Sequence, residues 1–319
     1  MNMWLVAVLT LVILVVGLFI FNQYKFSQAE KTFPPNGEFI VVDGVKLHYI
    51  RRGQGRPVVF LHGGVLDGND FKEVIDLAAG QGFLAIAFDR PGYGYSERPS
   101  HERMTPLAQA RLIHEALRQL GIEKPIIVGH SWSGTMSLLY AHHYPNDISG
   151  IVLLAAAMYK EGYPAEHGDP ISKLVTTPII GSIVMHILLK SPLGIALTKM
   201  MLKQTFAPEP VPGHYREAAL ALWLRPGQFR ANREDILAFP PAAKEAAAYY
   251  HQLKTLIVAM YGTEDPFGVS EQAARLKKDI PHTVLKVIPE VSHMIPQNHP
   301  TLVMEAIHEV IRMESWSQS

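Results

Sequence analysis

Six short, continuous apolar runs constrain this chain most: PVVFLHG (57–63), FLAIAFD (83–89), PIIVGHS (125–131), GIVLLAA (150–156), TLIVAMYG (255–262) and TVLKVIP (283–289). They lack the polar alternation of a half-exposed strand. They suit strands buried on both faces, as in a parallel sheet covered by helices. Helix-like stretches separate or follow them, over about 70–80, 105–120, 132–144, 270–279 and 300–312. The stretch TPLAQARLIHEALRQLG (105–121) opens on Thr-Pro and stops at Gly, the punctuation of a helix. Two earlier runs, FIVV (39–42) and VKLHYIR (45–51), flank Asp43-Gly44, a hairpin signal. Together they predict a doubly wound, mostly parallel eight-stranded α/β sheet opened by an antiparallel hairpin.

Residues 158–250 break the alternation. They are rich in Pro, Ala, Met and Leu and read as a helical cap. Such an insertion lies above the strand ends, where ligands bind in open α/β sheets. The expected organisation is an anchor and linker (1–37), a first core part (38–157), the cap (158–250) and a second core part (251–319).

The N-terminus has a different character. Trp4 to Phe21 is an 18-residue run without a charge. As a helix it is roughly 27 Å long, against a hydrocarbon core of ~30 Å. Trp4 and Tyr24 flank it where an aromatic belt lies. A buried core helix would carry some polar face. The expectation is a single-pass membrane anchor followed by a polar linker over 22–37. A cleaved signal peptide is the alternative: Ser27-Gln28-Ala29 loosely fits a cleavage site, but no Lys or Arg precedes the run. Lys25 and Lys31 lean towards a cytoplasmic soluble part, and two lysines leave the side open. Lys+Arg and Asp+Glu balance at 29 each, so no long-range field draws in nucleic acid. With no cysteine in the chain, disulfides, thiolate catalysis and cysteine metal sites are excluded.

The chemistry centres on VGHSWSG (128–134). A strand that turns sharply into a helix lifts the residue at the turn out of the sheet. It needs small residues two places before and two after. Around Ser131 these are Gly129 and Ser133, the latter where G-x-S-x-G has glycine. Around Ser133 they would be Ser131 and Thr135, a worse fit, so Ser131 is the candidate nucleophile. The Trp132 N–H at the helix start is a natural oxyanion donor. A second is expected from His62-Gly63-Gly64-Val65, where Gly64 is the assigned donor and Val65 the alternative. No third glycine follows at dinucleotide-binding spacing.

A serine needs a base, and the base an orienting acid. Of fifteen histidines, His293 follows the last strand, and Asp265 follows the strand before it. The order Ser131, Asp265, His293 fits this kind of sheet. Glu264 is the alternative acid. His101-Glu102, His114-Glu115 and His308-Glu309 lack a second histidine at metalloprotease spacing. His142-His143 reads as a solvated helix end, and His62 and His130 as structural hydrogen-bonding residues. Neither metal nor cofactor is expected.

LHGG (61–64), DRPGYGYS (89–96), GHSWSG (129–134), YGTEDPF (261–267) and SHMIPQNHP (292–300) occur in this order. Through them residues 38–312 resemble the lid-bearing serine hydrolases of the α/β-hydrolase superfamily: esterases, haloperoxidase-like perhydrolases and C–C bond hydrolases. The resemblance implies a serine hydrolase fold with a cap and a structural rather than catalytic role for DRPGYGYS. Ser133 departs from the motif. Relatives with an aspartate nucleophile open epoxides or displace halide, and Ser131 argues against both.

The expected function is hydrolysis of a carboxylic ester of a small lipophilic molecule through an acyl-enzyme. C–C bond or amide cleavage on the same three residues, and a non-catalytic ligand-binding role, are the alternatives. Leu174 to Met201 is mostly apolar, with Lys190 and Lys199 as its only charges. Met185, Met200 and Met201 are candidates to line an adaptable pocket. The same stretch could instead pack the lid on the core or touch a bilayer.

Overall fold

The computed structural model describes residues 2–100 and 102–317. Helix α1 (Met3–Thr32) is followed by β1 (Glu38–Val42), β2 (Val45–Arg52) and β3 (Arg56–Leu61). Next come α2 (Lys72–Gly80), β4 (Phe83–Phe88), α3 (Pro106–Gln119), β5 (Ile126–His130), α4 (Ser133–His143) and β6 (Gly150–Leu154). The cap contributes α5 (Pro170–Thr176), α6 (Ile180–Leu188), α7 (Pro192–Phe206), α8 (Gly213–Ala218) and α9 (Pro226–Ala247). The core resumes with β7 (Ile257–Gly262), α10 (Val269–Asp279), β8 (Val284–Ile288), α11 (Ile295–Asn298) and α12 (Pro300–Ser317).

All eight strands form one sheet in the order β1-β2-β4-β3-β5-β6-β7-β8. Pairings of β1 with β2 and of β2 with β4 are antiparallel, and the others are parallel. The expected hairpin turns at Asp43 (φ 49°) and Gly44 (φ 79°), both in the left-handed region that a tight two-residue loop requires. Side-chain alternation then sorts the apolar runs onto two cores. Val59, Leu61, Ile127, Ile151 and Leu153 face one core with α3 and α4, and Val58, Phe60, Ile126, Val128 and Val152 face the other with α2 and α12. Burial on both faces explains why these runs lack polar alternation. Parallel strands also end at a common edge, so the loops after β3, β5, β7 and β8 meet there.

The N-terminal helix runs farther than the sequence predicts. The polar linker expected over 22–37 is helical to Thr32, because its side chains dock on the cap. Asn22 is buried and donates through Nδ2 to the Ile187 carbonyl (2.9 Å), while its Oδ1 accepts the Lys190 N–H (2.6 Å). Phe26 packs against the cap cluster of Val175, Met185, Leu189 and Trp223, and Glu30 pairs with Arg225 at 3.3 Å. Only residues 33–37 remain as linker.

Gly262, at the end of β7, shows how closely the late loops approach the sheet. A Cβ there would enter the van der Waals shell of the Val291 carbonyl, next to Ser292 and His293. Gly262→Ala is expected to lose roughly 1–3 kcal/mol through overpacking. Gly80→Ala, where an added Cβ meets open space, is the control and should be neutral or up to about 1 kcal/mol stabilising. Urea unfolding of the two variants measures both.

Candidate active site

β5 ends at His130 and α4 begins at Ser133, so the chain reverses within two residues. Ser131 makes the turn at φ 53°, a left-handed conformation that costs about 1–3 kcal/mol for a residue with a side chain. Its backbone is pinned on both sides. The Ser131 N–H donates to Leu154 O (3.0 Å), and its carbonyl accepts from Gly134 N (3.0 Å) and Ala157 N (2.9 Å). A Cβ at Gly129 would collide with the Ser137 hydroxyl and lie 2.9 Å from the Ser133 carbonyl, so the glycine before the turn is required. The Ser133 hydroxyl fits because it has a partner. It is fully buried and donates to the His62 carbonyl at 2.6 Å.

The other two sequence candidates converge on Ser131. His293 Nε2 lies 2.9 Å from Ser131 Oγ, and His293 Nδ1 lies 2.6 Å from Asp265 Oδ2. Asp265 Oδ1 also accepts the Phe267 N–H (2.9 Å), and the Phe267 ring packs edge-on against the imidazole. His130 donates through Nε2 to the His293 carbonyl (3.0 Å), which fixes the backbone behind that imidazole. Glu264 is exposed and bonds to Thr263 instead, so the structure brings Asp265 and not Glu264 to the histidine.

The loop after β3 is held from below and above. Beneath it lies Arg90, fully buried. Its guanidinium donates to His62 O (3.1 Å), Gly63 O (2.8 Å), Gln109 Oε1 (2.9 Å) and Asp235 Oδ2 (2.6 Å). It also stacks on the rings of Tyr93 and Trp132. From above, α9 presents Gln228, Asn232 and Asp235 at i, i+4 and i+7, one helical face. Gln228 donates to the Val65 and Leu66 carbonyls (3.0 and 3.1 Å), and Asn232 to the Gly64 carbonyl (2.6 Å). With the Gly63 carbonyl held by Arg90, planarity turns the Gly64 N–H to the opposite side. Among the described residues no acceptor takes the N–H of Gly64, Val65 or Trp132. Burial, reinforced by Arg90, pushes the His62 imidazole well below its ordinary range, and burial pushes His130 down to about 3. Both are therefore neutral structural groups.

These elements surround a cavity of about 400 Å³ whose lining includes Gly64, Ser131, Trp132, His293, Met201 and Trp223. Of the three methionines considered, only Met201 lines it. Met185 is buried in the cap's own core and Met200 is exposed, because they lie on other sides of their helices. The sequence alone does not mark Asp70 and Tyr215, which adjoin one another in the cavity wall. Both are buried, with the Asp70 carboxyl and the Tyr215 hydroxyl beside each other. Burial, then the charge of Asp67, pushes the Asp70 carboxyl well above the usual range, favouring its neutral form. Nor did it reveal the α9 residues, whose only signal is their helical spacing. His114 and His308 are tied up at the surface with Asp147 and Gln81. His101 lies outside the described residues.

A family model described as the alpha/beta hydrolase fold matches residues 56–175. The chain is 27% identical over 287 residues to the "Uncharacterized hydrolase YugF" of Bacillus subtilis, covering 85% of this chain and 96% of that protein. It is 25% identical over 288 residues to "Haloalkane dehalogenase 2" of Mycobacterium tuberculosis, covering 89% and 98%. Among solved structures, a thermophilic esterase from Thermogutta terrifontis superposes with a TM-score of 0.69 at 20% identity, over 87% of this chain and 99% of the esterase. The eight-stranded sheet and these matches give the chain the α/β-hydrolase fold. The hydrolases among its relatives and structural neighbours support hydrolase activity.

The Arg90–Asp235 pair is buried on both sides, at 0% and 1% side-chain exposure. Asp235→Ala would leave the guanidinium buried without its carboxylate and is expected to cost about 3–5 kcal/mol. Thermal unfolding measures the loss. An exposed pair such as Arg118–Glu115 serves as control, and breaking it should leave the unfolding temperature essentially unchanged.

Proposed function

We propose that this protein is a membrane-anchored serine hydrolase that cleaves a carboxylic ester through an acyl-enzyme. The observation that carries this reading is the unbroken hydrogen-bonded chain from Ser131 Oγ through His293 to Asp265, facing a cavity. His293 accepts the Ser131 proton at Nε2 as Oγ attacks the ester carbonyl. The N–H groups of Trp132 and Gly64 hold the oxyanion, each typically lowering the barrier by ~3–4 kcal/mol. The imidazolium then protonates the leaving alcohol, and water, deprotonated by the same nitrogen, releases the acid. Asp265 fixes the tautomer and stabilises the imidazolium throughout.

Serine also decides between this reaction and that named for the dehalogenase relative. Displacement of halide by a serine oxygen would leave an alkyl ether, which water does not cleave under these conditions. Attack on an ester carbonyl leaves an acyl group that it does cleave. The cavity wall includes Val65, Tyr163, Met201, Trp223, Ile236 and Phe267, a surface for an apolar substrate.

Membrane anchoring rests on α1, whose apolar residues from Trp4 to Phe21 are mostly exposed. Cleavage after Ala29 would remove the segment that packs Asn22 and Phe26 onto the cap, which supports a retained anchor over a signal peptide.

The test is turnover of p-nitrophenyl esters of graded acyl length by the full chain in detergent. Longer acyl chains should raise kcat/KM. Ser131→Ala and His293→Ala should each lose roughly 10⁴-fold or more in kcat with an unchanged circular dichroism spectrum. Wild-type turnover by Ser131→Ala would overturn the reading.

A further inference from the structure

The outer face of the cap is apolar where a water-exposed surface would be polar. On α5, Ile171 and Leu174 are exposed. On α6, Ile180 and Ile183 are exposed, and on α7 Leu193, Leu197 and Met200. Spacings of three and four place each set on one side of its helix. Ile179, at the corner between α5 and α6, is 75% exposed and sits at φ 64°. That conformation is costly for a β-branched residue, and here it puts an apolar side chain at an outer corner. The two helices meet at that corner with a bend of 104°.

Two further observations say what covers this face. First, it adjoins α1. Phe19 and Phe26 flank His186 of α6, and Asn22 between them bonds to Ile187 and Lys190. The cap is therefore fastened to α1 where its apolar run ends, at the level of a bilayer surface. Second, the charge is of one sign. Pro170 to Phe206 contains Lys173, Lys190, Lys199 and Lys203 and no Asp or Glu. Lys173, Lys199 and Lys203 are exposed, suited to anionic headgroups.

We infer that the outer face of α5, α6 and α7 is a second membrane contact, seated in the headgroup–acyl boundary of the same bilayer that holds α1. It rests on the reading of α1 as an anchor and extends it from a tether to an orientation. α7 faces lipid through Leu197 and Met200 and the cavity through Met201 and Thr205. One layer of helix thus separates the Ser131 cavity from the membrane, so an ester dissolved in lipid is the natural substrate class.

The chain's lack of cysteine makes the test direct. Single variants Ile179→Cys, Ile183→Cys and Leu197→Cys are labelled with bimane, together with Leu11→Cys on α1 and Glu73→Cys on α2. The full chain is reconstituted into phosphatidylcholine–phosphatidylglycerol vesicles containing doxyl-labelled lipid. All five positions are exposed, so none of the changes disturbs the core. The expected result is a blue shift and loss of most emission at Leu11 and at the three cap positions, with Glu73 unaffected. Quenching at Leu11 with the cap positions behaving like Glu73 would overturn the cap contact and leave the anchor standing. Absence of quenching at Leu11 would overturn the anchor and, with it, the cap contact.

Discussion

The site depends on one backbone conformation, the left-handed turn at Ser131. In that turn the hydroxyl leaves the plane of the sheet, the helix behind it presents free N–H groups, and strand and helix come close. It persists because the surrounding structure over-determines it. The neighbouring strand end accepts the Ser131 N–H through Leu154, and Gly134 and Ala157 hold its carbonyl. Parallel strands ending at one edge then bring Asp265 and His293 to the same place from two other loops. A sheet buried on both faces is thus a precondition of the chemistry, because it fixes where these loops meet to within hydrogen-bond reach.

The cap does more than cover the cavity. Through Gln228, Asn232 and Asp235 it holds the carbonyls of the loop that carries Gly64, while Arg90 holds the same loop from the core side. With every carbonyl from His62 to Leu66 directed at a donor, the N–H groups are turned by peptide planarity rather than by ligand. The buried Asp235 carboxylate joins Arg90 of the core to Arg98 and to the cap helix that carries it. On its other side the cap grips α1 through Asn22, so the N-terminal helix, cap and site form one connected body.

Much of this was legible in the sequence. Local patterns announced the strands: apolar runs for the buried sheet, Asp43-Gly44 for the hairpin. Ser131, Asp265 and His293 could be singled out because each follows a strand, and strand ends share an edge. What escaped was set by tertiary contact. Nothing local marks Asn232 or Asp235 as facing inwards, since polar residues on a helix usually face water. The helical course of 22–32 was missed for the same reason, since its polar composition reads as linker until Asn22 meets Ile187. Asp70 also reads as an ordinary surface acid. Only the fold puts it in the cavity wall beside Tyr215. Ser133 was recognised as a departure from the motif, but its bond to the His62 carbonyl, which makes the departure tolerable, needed the loop's position.

Two serines stand two residues apart in GHSWSG, and only one of them reaches the imidazole. Peptide mapping by mass spectrometry after reaction with a fluorophosphonate distinguishes them most directly. The geometry predicts a single phosphonyl adduct on Ser131, absent when His293 is replaced by alanine. An adduct on Ser133, or one on Ser131 that forms equally fast without His293, would contradict it.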